Sequence, residues 1–454
     1  MSPSVPAGPS DEDAAAARRM DLMVNRQFTE PLLGAARGRR GRTGGDRRRS
    51  PDGVPVTLGH VSDPLVARMR EFGTTIFAEM SALAVRTGSI NLGQGFPDTD
   101  GPAAMLERAV TAIRDGFNQY PPGPGVPELR QAVSEHRKDH YGLVYDPDGE
   151  VLVTVGATEA VAAAILALCG PGDEVIAFEP YYDSYAASVA LAGAVLRPVT
   201  LRPVEGRFTF DPMELRAAVG PRTRAILVNS PHNPTGTVFT RAELEEIALL
   251  CQEHGLIALT DEVYEHLTFD GVEHIPLATL PGMRDRTVMI SSAGKTFSVT
   301  GWKTGWVCAP PELVRAVQTV KQFLTFTAAA PWQLAVAYGL RHELGWVSSL
   351  RADLQAKRDR LTAGLSAAGF DVYRPAGTYF VQTDIRPLGF TDGLALTREL
   401  PSLAGVVAIP TQVFYAHPER GSHFVRFAFC KKDEVIDEAV SRLTRLGQAG
   451  AAPA

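Results

Sequence analysis

The sequence predicts an α/β fold: a mostly parallel seven-stranded sheet with helices on both faces, accompanied by a smaller α+β domain. Three observations carry this. Seven short apolar runs of β character lie between Val151 and Ala309, helical periodicity fills most of the gaps between them, and after about Trp332 the pattern changes to long helices followed by alternating strands. At 454 residues the chain also exceeds the size at which one hydrophobic core stops growing, so two structural domains are expected.

In chain order the runs are VLVTV (Val151–Val155), EVIAF (Glu174–Phe178), AVLRPVT (Ala194–Thr200), RAILV (Arg224–Val228), LIALT (Leu256–Thr260), TVMI (Thr287–Ile290) and GWVCA (Gly305–Ala309). Most are apolar nearly throughout, as strands covered on both faces are. TEAVAAAILAL after the first run and RAELEEIALLCQEH before the fifth are long and rich in helix formers, and read as helical crossovers. Crossovers join parallel strands, which places a ligand at the carboxyl ends of the sheet. Beyond Trp332, TYFVQTD and HFVRFAF read as strands, and a final helix begins at about Lys432. The expected division is a disordered Arg-rich extension over 1–55, an arm and part of the small domain over 56–110, a large domain over 111–330 and a C-terminal small domain over 331–450. The extension is inferred from its Pro, Gly, Ala and Ser content and from seven arginines between Arg37 and Arg49. Such a composition buries too little apolar surface to offset the entropy of ordering.

Composition excludes several classes. Net charge is −6, with 45% hydrophobic and 21% charged residues, so no basic surface is expected for nucleic acid or an anionic membrane. No apolar stretch reaches the roughly 18 residues a membrane helix requires. Cys169, Cys251, Cys308 and Cys430 are scattered without metal-ligand spacing, which fits a reduced cytoplasm and no metal centre. The N-terminus carries Asp11, Glu12 and Asp13 and no apolar core, so neither a secretory signal nor a transit peptide is indicated.

The chemistry concentrates just after the runs. Gly156-Ala157-Thr158 turns the first run into a helix whose free amides favour a phosphate, although Thr158 as a plain helix cap would look the same. Tyr182 follows the second run, where a flat ring could be stacked. Asn233 sits in the turn-rich NSPHNPTG after the fourth, and Asp261 and Tyr264 follow the fifth, where Asp261 could merely cap a helix. Ser291, Ser292, Lys295 and Lys303 follow the sixth. Phosphate donors, an aromatic plate, an amide, a carboxylate, a phenol and an amine on one side of one sheet describe a holder for a phosphorylated, carbonyl-bearing heterocycle such as pyridoxal 5′-phosphate.

Together these segments resemble the class I aminotransferases of the fold-type I pyridoxal phosphate enzymes, from about Val66 to Leu446. Met69–Pro102 and Asn118–Val133 are similar to the branch of kynurenine, glutamine, methionine and N-succinyldiaminopimelate aminotransferases. The resemblance implies that Lys295 binds the cofactor aldehyde, that Asp261 faces the pyridine nitrogen, and that Asn233 and Tyr264 reach the ring hydroxyl. It makes Tyr182 the stacking residue and Gly156, Ala157, Thr158, Ser292 and Lys303 the phosphate ligands. Tyr120 would reach the phosphate of a neighbouring subunit, so a homodimer is implied. Arg426 and Gly95 would contact the substrate.

The chemistry accounts for these types. A lysine must shed its proton to act as nucleophile and base, which burial and nearby cations promote. An anion beside the ring nitrogen keeps that ring protonated, and a guanidinium fork suits a carboxylate. Arg426 alternates with Val425 and Phe427, so a surface position on an edge strand is the competing expectation. The expected activity is transfer of an amino group from an L-amino acid to a 2-oxo acid by a cytoplasmic enzyme acting on small molecules. The alternatives are a β-lyase acting on cysteine conjugates or cystathionine through the same cofactor, and a ligand-sensing regulator whose basic N-terminus binds DNA.

Overall fold

The computed structural model describes residues 65–73 and 75–450. The predicted disordered extension, 1–55, lies outside the described residues. The seven runs form one sheet: β1 (Val151–Thr154), β2 (Glu174–Glu179), β3 (Val195–Thr200), β4 (Thr223–Asn229), β5 (Ile257–Asp261), β6 (Thr287–Ser292) and β7 (Gly305–Cys308). Their order across the sheet is β1-β7-β6-β5-β4-β2-β3. All run one way except β7, which is antiparallel to both β1 and β6. The reversal brings the amino end of β7, Gly305, opposite Thr154 and Ser292, at the edge where the other strands end.

Successive residues of each strand face opposite layers. Leu152, Ala177, Leu227, Leu259, Ile290 and Val307 share one core. Helices α3 (Gly156–Leu168) and α5 (Pro311–Leu324) lie in that layer and pack on each other. Val151, Val153, Met289, Trp306 and Cys308 face the opposite side, together with residues of α2 (Pro127–Tyr141) and α6 (Ala330–His342). On that side Ile176, Phe178, Ile226, Val228 and Ala258 meet α4 (Arg241–His254). The bounds of α4 follow from its ends. Thr240 and Glu243 form a reciprocal capping box at the start, and Gly255 adopts φ +64° at the stop.

The C-terminal part supplies α7 (Leu344–Ala367) and an antiparallel sheet of β8 (Asp371–Tyr373), β9 (Phe380–Asp384), β10 (Ile409–Pro410) and β11 (Phe424–Ala428), in the order β8-β9-β11-β10. Helix α8 (Gly393–Ala404) and the final helix α9 (Asp433–Gly450) complete it, α9 against α7. Earlier residues join this layer. Ile90-Asn91 pairs in parallel with Val406-Val407, and α1 (Ile76–Thr87) packs on α8. The small sheet therefore stands over the carboxyl edge of the large one, and a partly open cavity lies between them.

Candidate active site

The cavity holds about 270 Å³. Every predicted site residue except Tyr120 lines it: Gly95, Gly156, Ala157, Thr158, Tyr182, Asn233, Asp261, Tyr264, Ser292, Lys295, Lys303 and Arg426. Tyr120 is 81% exposed, its ring edge-on to Phe326.

The turn from β1 into α3 is shaped by backbone rather than by a side-chain cap. The N-cap is Val155, with no side-chain hydrogen bond, so Thr158 is not the cap that one reading allowed. Gly156 adopts φ +75°, a conformation L residues rarely take, and a Cβ there would lie 3.3 Å from Lys303 Nζ. A Cβ on Gly305 would come within 2.9 Å of the Ala157 nitrogen. These glycines let the first amides of α3 lie beside Ser292 and the Lys303 ammonium, a concave cluster of donors and positive charge that suits a phosphate.

Asp261 ends β5 in register with Asn229 on β4, and is buried. It does not cap a helix. Tyr185 Oη donates to its Oδ2 at 2.5 Å, and Asn229 donates to its backbone carbonyl at 2.8 Å. Burial raises the carboxyl above its usual pKa, and the Tyr185 hydrogen bond opposes that rise. The nearby acids turn elsewhere: Glu265 pairs with Arg137 at 2.5 Å, and Glu262 accepts from His274 at 3.1 Å. Asp261 is thus the carboxylate aimed into the cavity.

Lys295 follows β6 in a single turn, Ala293–Thr296. Its Nζ donates to Tyr379 Oη at 2.7 Å and lies 5.7 Å from the centre of the Tyr264 ring. Burial lowers its pKa to about 8; Lys303 and Arg426 add to the fall, while Cys430 and Asp261 oppose it. A lysine so placed supplies a neutral amine near physiological pH.

Arg426 lies in β11, which pairs with β9 on one side and β10 on the other, and it is 1% exposed. The edge-strand surface position is therefore overturned. Its guanidinium sits 3.9 Å over the Phe380 ring, with Phe77 and Phe414 at 5.3 and 5.4 Å. Nη1 donates to Asn233 Oδ1 at 3.0 Å and Nη2 to the Gly93 carbonyl at 2.9 Å. Burial lowers its pKa to about 10, still cationic at neutral pH, and its Nε has no hydrogen-bond partner. A buried guanidinium with a spare donor and, among the described residues, no carboxylate partner suits an anionic ligand. An amine poised to lose its proton, a buried carboxylate, a phosphate cradle and this arginine together fit a phosphorylated pyridine aldehyde and an amino acid.

Three groups escaped the sequence reading. Tyr185 stands three residues after Tyr182 on the helix Asp183–Ala192, a spacing that could have flagged it. Asn229 is the last residue of β4 and the first of NSPHNPTG, the stretch in which attention fell on Asn233 instead. Tyr379 reaches Lys295 across 84 positions, and no local signal announces it.

Residues 87–443 match the family model for aminotransferase class I and II. The chain belongs to this family. It is 52% identical over 392 residues to a probable N-succinyldiaminopimelate aminotransferase of Mycobacterium tuberculosis, covering 84% of this chain and 98% of that one. A methionine aminotransferase of Escherichia coli is 39% identical, covering 85% and 100%, and a mouse kynurenine–oxoglutarate transaminase 3 is 39% identical, covering 82% and 88%. The solved structure of the N-succinyldiaminopimelate aminotransferase from Mycobacterium tuberculosis superposes with a TM-score of 0.83 over 84% of this chain and all of that one. A Thermus thermophilus aspartate aminotransferase variant, 33% identical, gives 0.78, covering 85% and 100%. The protein is therefore a pyridoxal phosphate-dependent aminotransferase of fold type I acting on amino acids and 2-oxo acids. These relatives favour transfer over the β-lyase alternative.

Proposed function

We propose that this aminotransferase passes the amino group of an L-amino acid to a 2-oxo acid with Lys295 as both cofactor-binding lysine and proton carrier. When bound, the cofactor supplies an electron sink for the charge left as the substrate loses its Cα proton. Asp261 would hold a proton on the ring nitrogen through its charge; Tyr185 and the Val263 amide fix the orientation of that carboxylate, and Asn229 holds the Asp261 backbone carbonyl. Tyr264 and Asn233 would hold the ring hydroxyl, and Tyr182 would cover a ring face, all three lining the cavity. Gly156, Ala157, Thr158, Ser292 and Lys303 bind the phosphate, with Tyr120 donated by a second subunit. Arg426 grips the substrate α-carboxylate and Gly95 contacts the same substrate, so that the Cα proton faces Lys295. The observation that carries this reading is the convergence of Lys295, Asp261 and Arg426 on one cavity.

For the donor, the 52% identity to the probable N-succinyldiaminopimelate enzyme supports that compound over methionine or kynurenine, whose enzymes are 39% identical. The four cysteines are unpaired and buried, which supports a reducing cytoplasm. The acidic net charge supports small-molecule partners rather than nucleic acid or membrane. Among the described residues no helix is long and apolar enough to cross a membrane. A donor panel of these three compounds with 2-oxoglutarate as acceptor tests the assignment. The highest kcat/KM is expected for N-succinyldiaminopimelate, and a higher value for either of the others would overturn it.

A further inference from the structure

Tyr379 is fully buried, and its hydroxyl meets both the lysine and a backbone carbonyl. It donates to Gly95 O at 2.5 Å, and Lys295 Nζ donates to it at 2.7 Å and to Gly95 O at 3.4 Å. The phenol has a single hydrogen, and Gly95 takes it, so only lone pairs remain for Lys295. Burial holds the Tyr379 phenol well above its usual pKa, so it stays neutral and does not act as a base.

The backbone that presents this side chain is constrained. Thr378, a β-branched residue, adopts φ +68°. It is held there by its amide donating to Leu267 O at 2.9 Å and by its hydroxyl accepting from the Phe380 amide at 3.1 Å. The preceding Gly377 admits no side chain, because a Cβ there would lie 2.7 Å from Pro231 and 3.0 Å from Leu267 O. Strained backbone of this kind persists where the surroundings over-determine it, and it concentrates at functional sites.

We propose that Tyr379, with the Gly95 carbonyl, is an acceptor clamp for the Lys295 amine: it takes the lysine's hydrogens and so turns the nitrogen lone pair toward the cavity. This rests on the reading of Lys295 given above and adds a residue to it. The other groups that set the charge of Lys295 are Asp261 and Tyr264 after β5, Lys303 before β7, and Arg426 and Cys430 on and after β11. Tyr379 differs from them in touching the nitrogen itself. An acceptor favours the protonated amine, so it opposes the desolvation that lowers the lysine's pKa. Removing the hydroxyl leaves the amine with the longer Gly95 contact alone, and the lysine should lose its proton at lower pH. A hydrogen bond to a charged group corresponds to a shift of about one to two pH units.

The test compares apoenzyme of the wild type with Tyr379→Phe, which keeps the ring and its packing against Tyr264 and Phe380. Two pH profiles are read: the rate of pyridoxal 5′-phosphate uptake by visible absorbance, and the rate of trace acetylation of Lys295 by peptide mass spectrometry. Both should move to lower pH in the variant by about one to two units. Superimposable profiles, or a shift to higher pH, overturn the clamp. Should the variant misfold, 3-fluorotyrosine at position 379, a weaker acceptor of almost the same shape, should shift the profiles less but in the same direction, and no shift overturns the clamp equally. A Lys295→Ala control separates the two claims. If it takes up cofactor with the wild-type absorbance change, the reading of Lys295 itself fails, whatever the Tyr379 profiles show.

Discussion

Asp261 and Arg426 are opposite charges that the fold buries at a cost, and in the proposed function the partner of each arrives with the ligands. A buried charge without such a partner is expensive, which is why residues of this kind are rarely structural. Replacing Asp261 by Asn preserves shape and the Tyr185 contact but removes the anion. A carboxylate about 4 Å from a cationic nitrogen contributes roughly 4 kcal/mol at an effective dielectric near 20. The half-reaction rate should therefore fall by roughly a thousandfold while cofactor is still bound, measured by stopped-flow absorbance after mixing with an amino donor. At Arg426, lysine keeps the charge but loses the fork that holds Asn233 and the Gly93 carbonyl together and that, in the proposed function, would also hold a substrate carboxylate. Losing a charge-assisted hydrogen bond corresponds to roughly a tenfold to hundredfold rise in the apparent KM of every amino donor, with kcat less affected. An unchanged KM would remove Arg426 from the substrate site.

At the scale of elements, the site is built where strands stop, and this is why so much of it was readable. Burial on both faces makes the seven strands apolar in sequence, and a polar residue just past such a run has few places to go but the sheet edge. Lys295, Asp261, Asn233 and Tyr182 were legible for that reason. The direction of β7 was not, since an apolar run carries no arrow; only pairing with β1 and β6 shows that Gly305 leads into the site. Phe380 and Phe77 were equally hidden, because they come from β9 and from α1, and only the packing of one layer over the other brings them to the cavity; the same packing sets Tyr379, the residue before β9, against Lys295. The alternation around Arg426 is equally that of an edge strand, and the pairing of β11 on both sides removes that alternative. The β1–α3 turn offers its own prediction. Gly156→Ala forces an L residue to φ +75° and pushes a methyl to 3.2 Å from Lys303 Cε. The left-handed conformation costs about 1–2 kcal/mol, so cofactor affinity should drop by roughly tenfold if the turn must open to relieve it, as read by equilibrium dialysis.

For the whole molecule, the cavity as formed by one chain lacks Tyr120, whose ring lies outside it edge-on to the exposed Phe326, three positions along the chain from the exposed Phe323. Exposed aromatics grouped in this way mark interaction surfaces. Sedimentation of the holoenzyme should give twice the chain mass, and Tyr120→Phe should weaken cofactor binding without changing that mass. A monomer with full cofactor content would remove Tyr120 from the site and the second subunit with it. The covalent state of Lys295 remains the most direct test of the account. Borohydride reduction of the holoenzyme followed by peptide mass spectrometry should find one phosphopyridoxyl group per chain, on Lys295. Label on any other lysine, or none on an enzyme that retains its visible absorbance and activity, would contradict it.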